Sequence, residues 1–211
     1  MDRAAGVSEV GRPLYERAGW TPLEGPDVRM ELRSRRLRAG HCTPGVGSYA
    51  GFMSEQRATD ALEALGLPHE ITRHGRVGSL AEAAAARGVE PRDIVKTLVV
   101  RRGEGDFLFV LVPGDREISW PKLRAVLGVN RLSMPDKEVA KEVTGYERGT
   151  ITPFGAATAW PVVADASLAG DPERRISMGA GAHGVAATVP AEKTLARLDA
   201  QVADVTELQQ P

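Results

Sequence analysis

Four short segments of this 211-residue chain combine residue types that can do chemistry. The first is the run Asp93-Ile94-Val95-Lys96-Thr97-Leu98-Val99-Val100, in which a lysine interrupts β-branched and apolar residues. Such a run, bounded by Pro91 and Gly103, predicts a buried or half-buried strand. Its lysine must be paired, hydrated or put to use, because an isolated buried ammonium costs several kcal/mol or more. Alternation puts Lys96 on one face with Ile94, Leu98 and Val100. On the apolar side of a strand it marks a cleft for an anionic or polar group; on an edge strand it would point to solvent as a guard against aggregation. The second segment, Gly149-Thr150-Ile151-Thr152-Pro153-Phe154-Gly155, is a bend stiffened by Pro153, which also restricts Thr152. It can present backbone N–H groups and two hydroxyls to a carbonyl or oxyanion, or serve as a plain surface turn.

The third segment is the glycine-rich turn Gly179-Ala180-Gly181-Ala182-His183-Gly184. No helix signal follows it and no Lys-Ser/Thr pair, so it is no phosphate-cradling or dinucleotide fingerprint. His183 among small residues is accessible enough to orient a ligand or move a proton, or is an incidental turn histidine. Fourth, Asp165 ends the apolar stretch Trp160-Pro161-Val162-Val163-Ala164, where it either caps the next turn or pairs with Lys96 and holds it charged. Cys42 has no evident base nearby. The four histidines His41, His69, His74 and His183 are not spaced as metal ligands, and neither HExxH nor GxSxG occurs. No metal or cofactor is expected, and a small-molecule hydrolase would need a nucleophile or metal that the sequence does not show.

The elements that must position these groups become regular from Ser54. Ser54 is expected to cap a helix through Leu65, stopped by Gly66. A strand is predicted over 69–73. A capping box, Ser79-Leu80-Ala81-Glu82, opens an alanine-rich helix that ends at Gly88. Strands follow over 94–101 and 107–112, joined by the hairpin loop 103–106. Next come a helix from Ser119 through Leu127, a strand near 130–133, a short helix over 135–143 and the loop 145–155. Strands over 160–164, 175–178 and 185–189, a helix over 191–198 and a last strand over 201–205 complete the pattern. Interspersed helices and hairpins predict a mixed rather than a purely parallel sheet.

Bulk properties fit a soluble globular chain. Formal net charge is −1, and no stretch approaches the ~20 apolar residues that span a bilayer. One cysteine excludes an internal disulfide, making the reducing cytoplasm the default compartment. Residues 1–52 differ from the rest, with 8 Arg, no Lys and 6 acidic residues. Their prolines and glycines predict a disordered leader or an RNA-contacting arm, or else translation starts at Met53. The remainder has a net charge of −3, too acidic for general nucleic-acid binding, so any RNA contact must be local.

Together these segments resemble the YbaK/ProX family of aminoacyl-tRNA deacylases, a domain also inserted in many bacterial prolyl-tRNA synthetases. The resemblance covers residues 54–206. It rests on Val95-Lys96-Thr97-Leu98-Val99, the GxxxP bend 149–153 with Phe154-Gly155, Leu123-Arg124-Ala125-Val126-Leu127-Gly128, Thr144-Gly145-Tyr146 and Val163-Ala164-Asp165. It implies a mixed α/β (α+β) fold: a twisted, partly closed mixed sheet with surrounding helices over 53–211. It further implies hydrolysis of an amino acid mischarged on tRNA, cysteinyl- or alanyl-tRNA(Pro), with the mischarged 3′ end and prolyl-tRNA synthetase as partners and no membrane. By resemblance, Lys96, Gly149, Thr152 and Asp165 carry the reaction, and Thr97, Thr150, Ile151, Pro153, Phe154 and His183 bind substrate. The alternative within the same fold is a non-catalytic module that binds tRNA or a synthetase.

Overall fold

The computed structural model describes residues 46–209, and side chains from Gly51 onward. The leader through residue 45, with Cys42, lies outside the described residues. A seven-stranded mixed sheet runs in the order β1-β7-β6-β2-β3-β5-β8: β1 Glu70–Arg73, β2 Ile94–Gly103, β3 Asp106–Pro113, β5 Val162–Asp165, β6 Arg175–Gly179, β7 Val185–Pro190 and β8 Gln201–Ala203. β2 pairs antiparallel with β3 and parallel with β6, and β3 pairs parallel with β5. A separate ribbon joins β4 Arg116–Ile118 to β9 Thr206–Leu208. Among the described residues five α-helices accompany the sheet: α1 Val46–Ala64, α2 Leu80–Arg87, α3 Trp120–Leu127, α4 Lys137–Thr144 and α5 Ala191–Arg197.

Strand alternation sorts the core onto two faces. Val95 and Val99 of β2, Phe109 and Leu111 of β3, and Ile176 and Met178 of β6 pack with Ala58 and Leu62 of α1 and Leu195 of α5. The opposite face carries Val100, Leu108, Val110 and Val163 against Leu123 of α3 and Ile118. Farther along that face Ile94 meets Ala83 and Ala84 of α2. β3 is buried on both faces, so its sequence Phe-Leu-Phe-Val-Leu-Val shows no polar alternation.

The mixed sheet and most elements stand where the sequence placed them. Ser79 caps α2 by accepting from Glu82 N, and Gly88 ends it in the left-handed conformation. Four expectations need correction. The first helix begins at Val46, not at Ser54. Gly47 and Gly51 each cost about 1 kcal/mol of helix propensity, which hid its first two turns. Residues 130–133 form only an isolated bridge, Arg101 with Ser133. The last strand divides into β8 and β9. Finally, β4 escaped the sequence reading because Arg-Glu-Ile after Gly-Asp resembles the tail of a turn.

Candidate active site

β2 is an interior strand, flanked by β3 and β6, so the edge-strand alternative for Lys96 is excluded. The Lys96 side chain is half-buried on the face of Ile94, Leu98 and Val100. Its Nζ donates to the carbonyls of Gly114 (3.1 Å) and Arg116. Desolvation lowers the Lys96 pKa; the negative charges of Asp115 and Glu117 oppose that shift without cancelling it. Two carbonyls thus hold a cation in place without neutralising it.

The bend is no surface turn. Thr150, Thr152, Pro153 and Phe154 are buried, while Gly149 is exposed with φ +91°. Thr150 Oγ1 donates to the Glu147 carbonyl, and Thr152 Oγ1 accepts from Phe154 N at 3.4 Å. Tyr146 Oη donates to the Phe154 carbonyl (2.6 Å), and the Arg57 guanidinium lies 4.6 Å from the Tyr146 ring centroid. Backbone carbonyls of α1 press on this assembly. A Cβ on Gly155 would collide with the Arg57 carbonyl, and one on Gly181 with that of Ser54. Those glycines are therefore packing residues, and the glycine-rich turn serves helix seating. Gly181 N donates to the Thr150 carbonyl (3.2 Å), tying turn to bend. His183 is exposed beside Gly149, its Nε2 3.6 Å from Glu147.

The strand β6, next to β2, carries the bend at Gly179. The parallel ladder pairs Ile94 with Ser177 and Val95 with Met178, its last pair, and the two strands run on from there to Lys96 and to Gly179. A Cβ built on Gly179 would lie 3.3 Å from the Ile151 carbonyl oxygen and 3.5 Å from that of Thr150. The bend therefore rests on the bare backbone of the strand next to Lys96, and neighbouring strands lie about 4.8 Å apart. Gly179→Val is expected to lift the bend and lower kcat/KM by roughly tenfold or more, since catalysis tolerates little misplacement. Gly179→Ala needs only a few tenths of an ångström and should cost less. Steady-state kinetics beside thermal melts would check this; equal activity for wild type and Gly179→Val would refute it.

Asp165 takes the capping role and not the direct pairing with Lys96. It is 1% exposed. It accepts from Ser167 N (3.0 Å) and Ser167 Oγ, from Val205 N (3.2 Å) and from Thr206 Oγ1 (2.7 Å). Its nearest cation is Arg116, Nε at 3.8 Å. Desolvation pushes the Asp165 pKa up, but those four hydrogen bonds outweigh it and hold the group below the usual aspartate value. Arg116 also donates to Thr206 Oγ1 (2.5 Å) while its own carbonyl receives the Lys96 amine. The carboxylate therefore reaches Lys96 at one remove, through Arg116 and the β4–β9 ribbon. Arg116 and Thr206 were missed from the sequence, and Gly179 was noted only as part of a turn and not as the seat of the bend; the Arg116–Thr206 contact spans 90 residues.

The class these features define is a mixed α/β domain with a caged lysine on β2 and a buried backbone bend packed on the neighbouring strand β6. The pattern of the aminoacyl-tRNA editing domain matches residues 74–195, and the chain belongs to that family. A crystal structure described as a proposed trans-editing enzyme for prolyl tRNA synthetase superposes with a TM-score of 0.65 at 30% identity, over 73% of this chain and 97% of that one. The proline–tRNA ligase of Geobacter sp. (strain M21) is 38% identical over 92 residues, 44% of this chain and 16% of the ligase. That of Thermosipho melanesiensis is 31% identical over 125 residues, 59% of this chain and 20% of the ligase. The chain thus spans a sixth to a fifth of the length of these ligases. Among the described residues no helix is long and apolar enough to cross a membrane.

Proposed function

We propose that this chain is a trans-editing deacylase that hydrolyses the ester of a mischarged aminoacyl-tRNA, cysteinyl- or alanyl-tRNA(Pro), in the cytoplasm. The observation that carries the reading is the Lys96 ammonium, held on an interior strand one strand away from the buried bend. An aminoacyl ester is already activated, so positioning and electrostatic help suffice. Lys96 holds the phosphate or ribose of the terminal adenosine. The backbone from Gly149 through Thr152 and Pro153 holds the ester carbonyl. A water oxygen attacks the carbonyl carbon, the bond to the ribose oxygen breaks, and that oxygen leaves with a proton. Thr150, Ile151 and His183 meet the substrate at the bend, Thr97, on the strand face opposite Lys96, and Phe154, buried in the core, support the site from behind, and Asp165 acts through Arg116. A small pocket would exclude the larger cognate amino acid by clash.

The deciding measurement is deacylation of a panel of labelled mischarged tRNAs by the free protein, with and without prolyl-tRNA synthetase. Turnover of cysteinyl- or alanyl-tRNA(Pro) well above the spontaneous rate is expected. Binding without turnover in both arms would instead identify a non-catalytic module.

A further inference from the structure

Arg87, the last residue of α2, is a half-buried cation with no anion to hold. Its Nε donates to His74 Nε2 (3.2 Å). A guanidinium can only donate, so His74 Nε2 supplies a lone pair, and the ring proton sits on Nδ1 and goes to the Gly75 carbonyl (2.8 Å). His74 thus orients the guanidinium without offering it a negative charge. The Ala84 and Ala85 carbonyls at the end of α2 are taken by Val89 N and Gly88 N. Among the described residues Arg87 makes no ion pair, and its two terminal nitrogens have no acceptor there and remain open to solvent. Desolvation lowers its pKa, with no neighbouring carboxylate to raise it. Arg76, two residues past His74, is exposed and likewise unpaired among the described residues.

Both arginines are tied to the candidate active site. α2 packs Ala83 and Ala84 on Ile94, the neighbour of Lys96 on its strand face. At the other end of α2, Leu80 abuts Gly114, whose carbonyl receives the Lys96 amine. The helix rises about 10 Å from Leu80 to Arg87. His74 N donates to the Gly184 carbonyl (2.8 Å), in the turn that Gly181 ties to the bend. An open guanidinium edge matches a phosphate, whose oxygens accept its two parallel N–H bonds. We propose that Arg87, assisted by Arg76, binds a backbone phosphate of the polynucleotide whose 3′ end reaches Lys96. The choice of RNA as the polyanion rests on the editing reading. Residues 53–211 are net acidic, so affinity for an RNA must come from local contacts of this kind. The two cations then fix the direction in which the strand crosses α2.

The test measures binding of uncharged tRNA(Pro) to the full chain over a series of salt concentrations, and then kcat and KM for the mischarged form. Arg87→Gln is expected to weaken binding roughly tenfold, the scale of one hydrogen bond between charged groups. It should also make the salt dependence shallower by about one in log–log slope. KM should rise by the same factor with kcat unchanged, because the contact is made equally before and during reaction. Arg87→Lys keeps the charge and should keep the slope, while losing the fork and part of the affinity. Unchanged affinity and slope in Arg87→Gln would overturn the proposal. So would weaker binding at an unchanged slope, which would assign Arg87 to seating α2 on His74. Should Arg87→Gln fail to fold in thermal melts, Arg76→Gln decides from its exposed position: a shallower slope supports the phosphate site, and an unchanged one overturns it. A wild type that cleaves no mischarged tRNA takes down the editing reading alone, because the comparison with uncharged tRNA does not depend on turnover.

Discussion

Lys96→Ala is expected to lower kcat/KM for mischarged tRNA by about 10²–10³-fold, the usual cost of removing one preorganised electrostatic contact. Arg116, whose carbonyl receives the Lys96 amine, has its own guanidinium committed to Thr206 and Asp165 and does not replace that cation. The substitution also strands the Gly114 and Arg116 carbonyls, costing roughly 1–3 kcal/mol for each left without water or partner. Rates should therefore be referred to the folded fraction by circular dichroism. Lys96→Arg is not expected to restore the rate, because a planar guanidinium cannot occupy the two-carbonyl cage of a compact ammonium.

The same group sets a pH dependence. Desolvation holds the Lys96 pKa below the ordinary lysine value, opposed by Asp115 and Glu117. If the charged form binds substrate, kcat/KM falls as pH rises through that lowered pKa. Stability moves the other way. Between the lowered folded pKa and the ordinary value, the unfolded chain binds more protons, so stability rises with pH there. Lys96→Met should flatten that rise in chemical denaturation measured across alkaline pH. An unchanged slope would mean that the amine is solvated.

Asp165→Ala is expected to be the most destabilising single change, at about 3 kcal/mol. It removes a buried carboxylate serving two backbone N–H groups, two hydroxyls and Arg116, and hydrogen bonds to charged groups are worth about 1.5–3 kcal/mol each before the cavity relaxes. At about 2–4 °C per kcal/mol for a domain of this size, the melting temperature should fall by roughly 6–12 °C. Asp165→Asn keeps the shape and one acceptor and should fall between. Because the folded pKa of Asp165 is depressed, its contribution is complete above the ordinary aspartate value and is lost as pH falls through the folded value. The variants should therefore converge with wild type in acid. Melting curves that differ as much at low pH as at neutral pH would contradict this account. Activity should fall too, with partial rescue by Asn, because Arg116 anchors Lys96 through its carbonyl.

Some of this was legible in the residues. A lysine inside Ile-Val-Lys-Thr-Leu-Val-Val announced a strand with a charge to place, and Ser79, Gly88 and Gly128 marked helix ends by local chemistry alone. The bend was visible as Gly-Thr-Ile-Thr-Pro, although its burial was not, since that depends on α1 and the 179–184 turn closing over it. Asp165 drew notice as a carboxylate at a strand end, and one of its two open roles, the cap, was the right one. Its link to Arg116 had no local signal.

The sequence by itself determined which residues can carry charge, which segments alternate and where the chain must turn, because these follow from side-chain chemistry within a few positions. It also carried the family, through several short motifs in a fixed order. Only the tertiary structure decided that β2 lies inside the sheet, that the bend packs on Gly179 of the strand next to β2, and that Arg116 stands between Lys96 and Asp165. Those facts depend on strand order and on contacts spanning up to 90 residues, and long-range pairing is fixed by the packing of the whole core and not by any local preference.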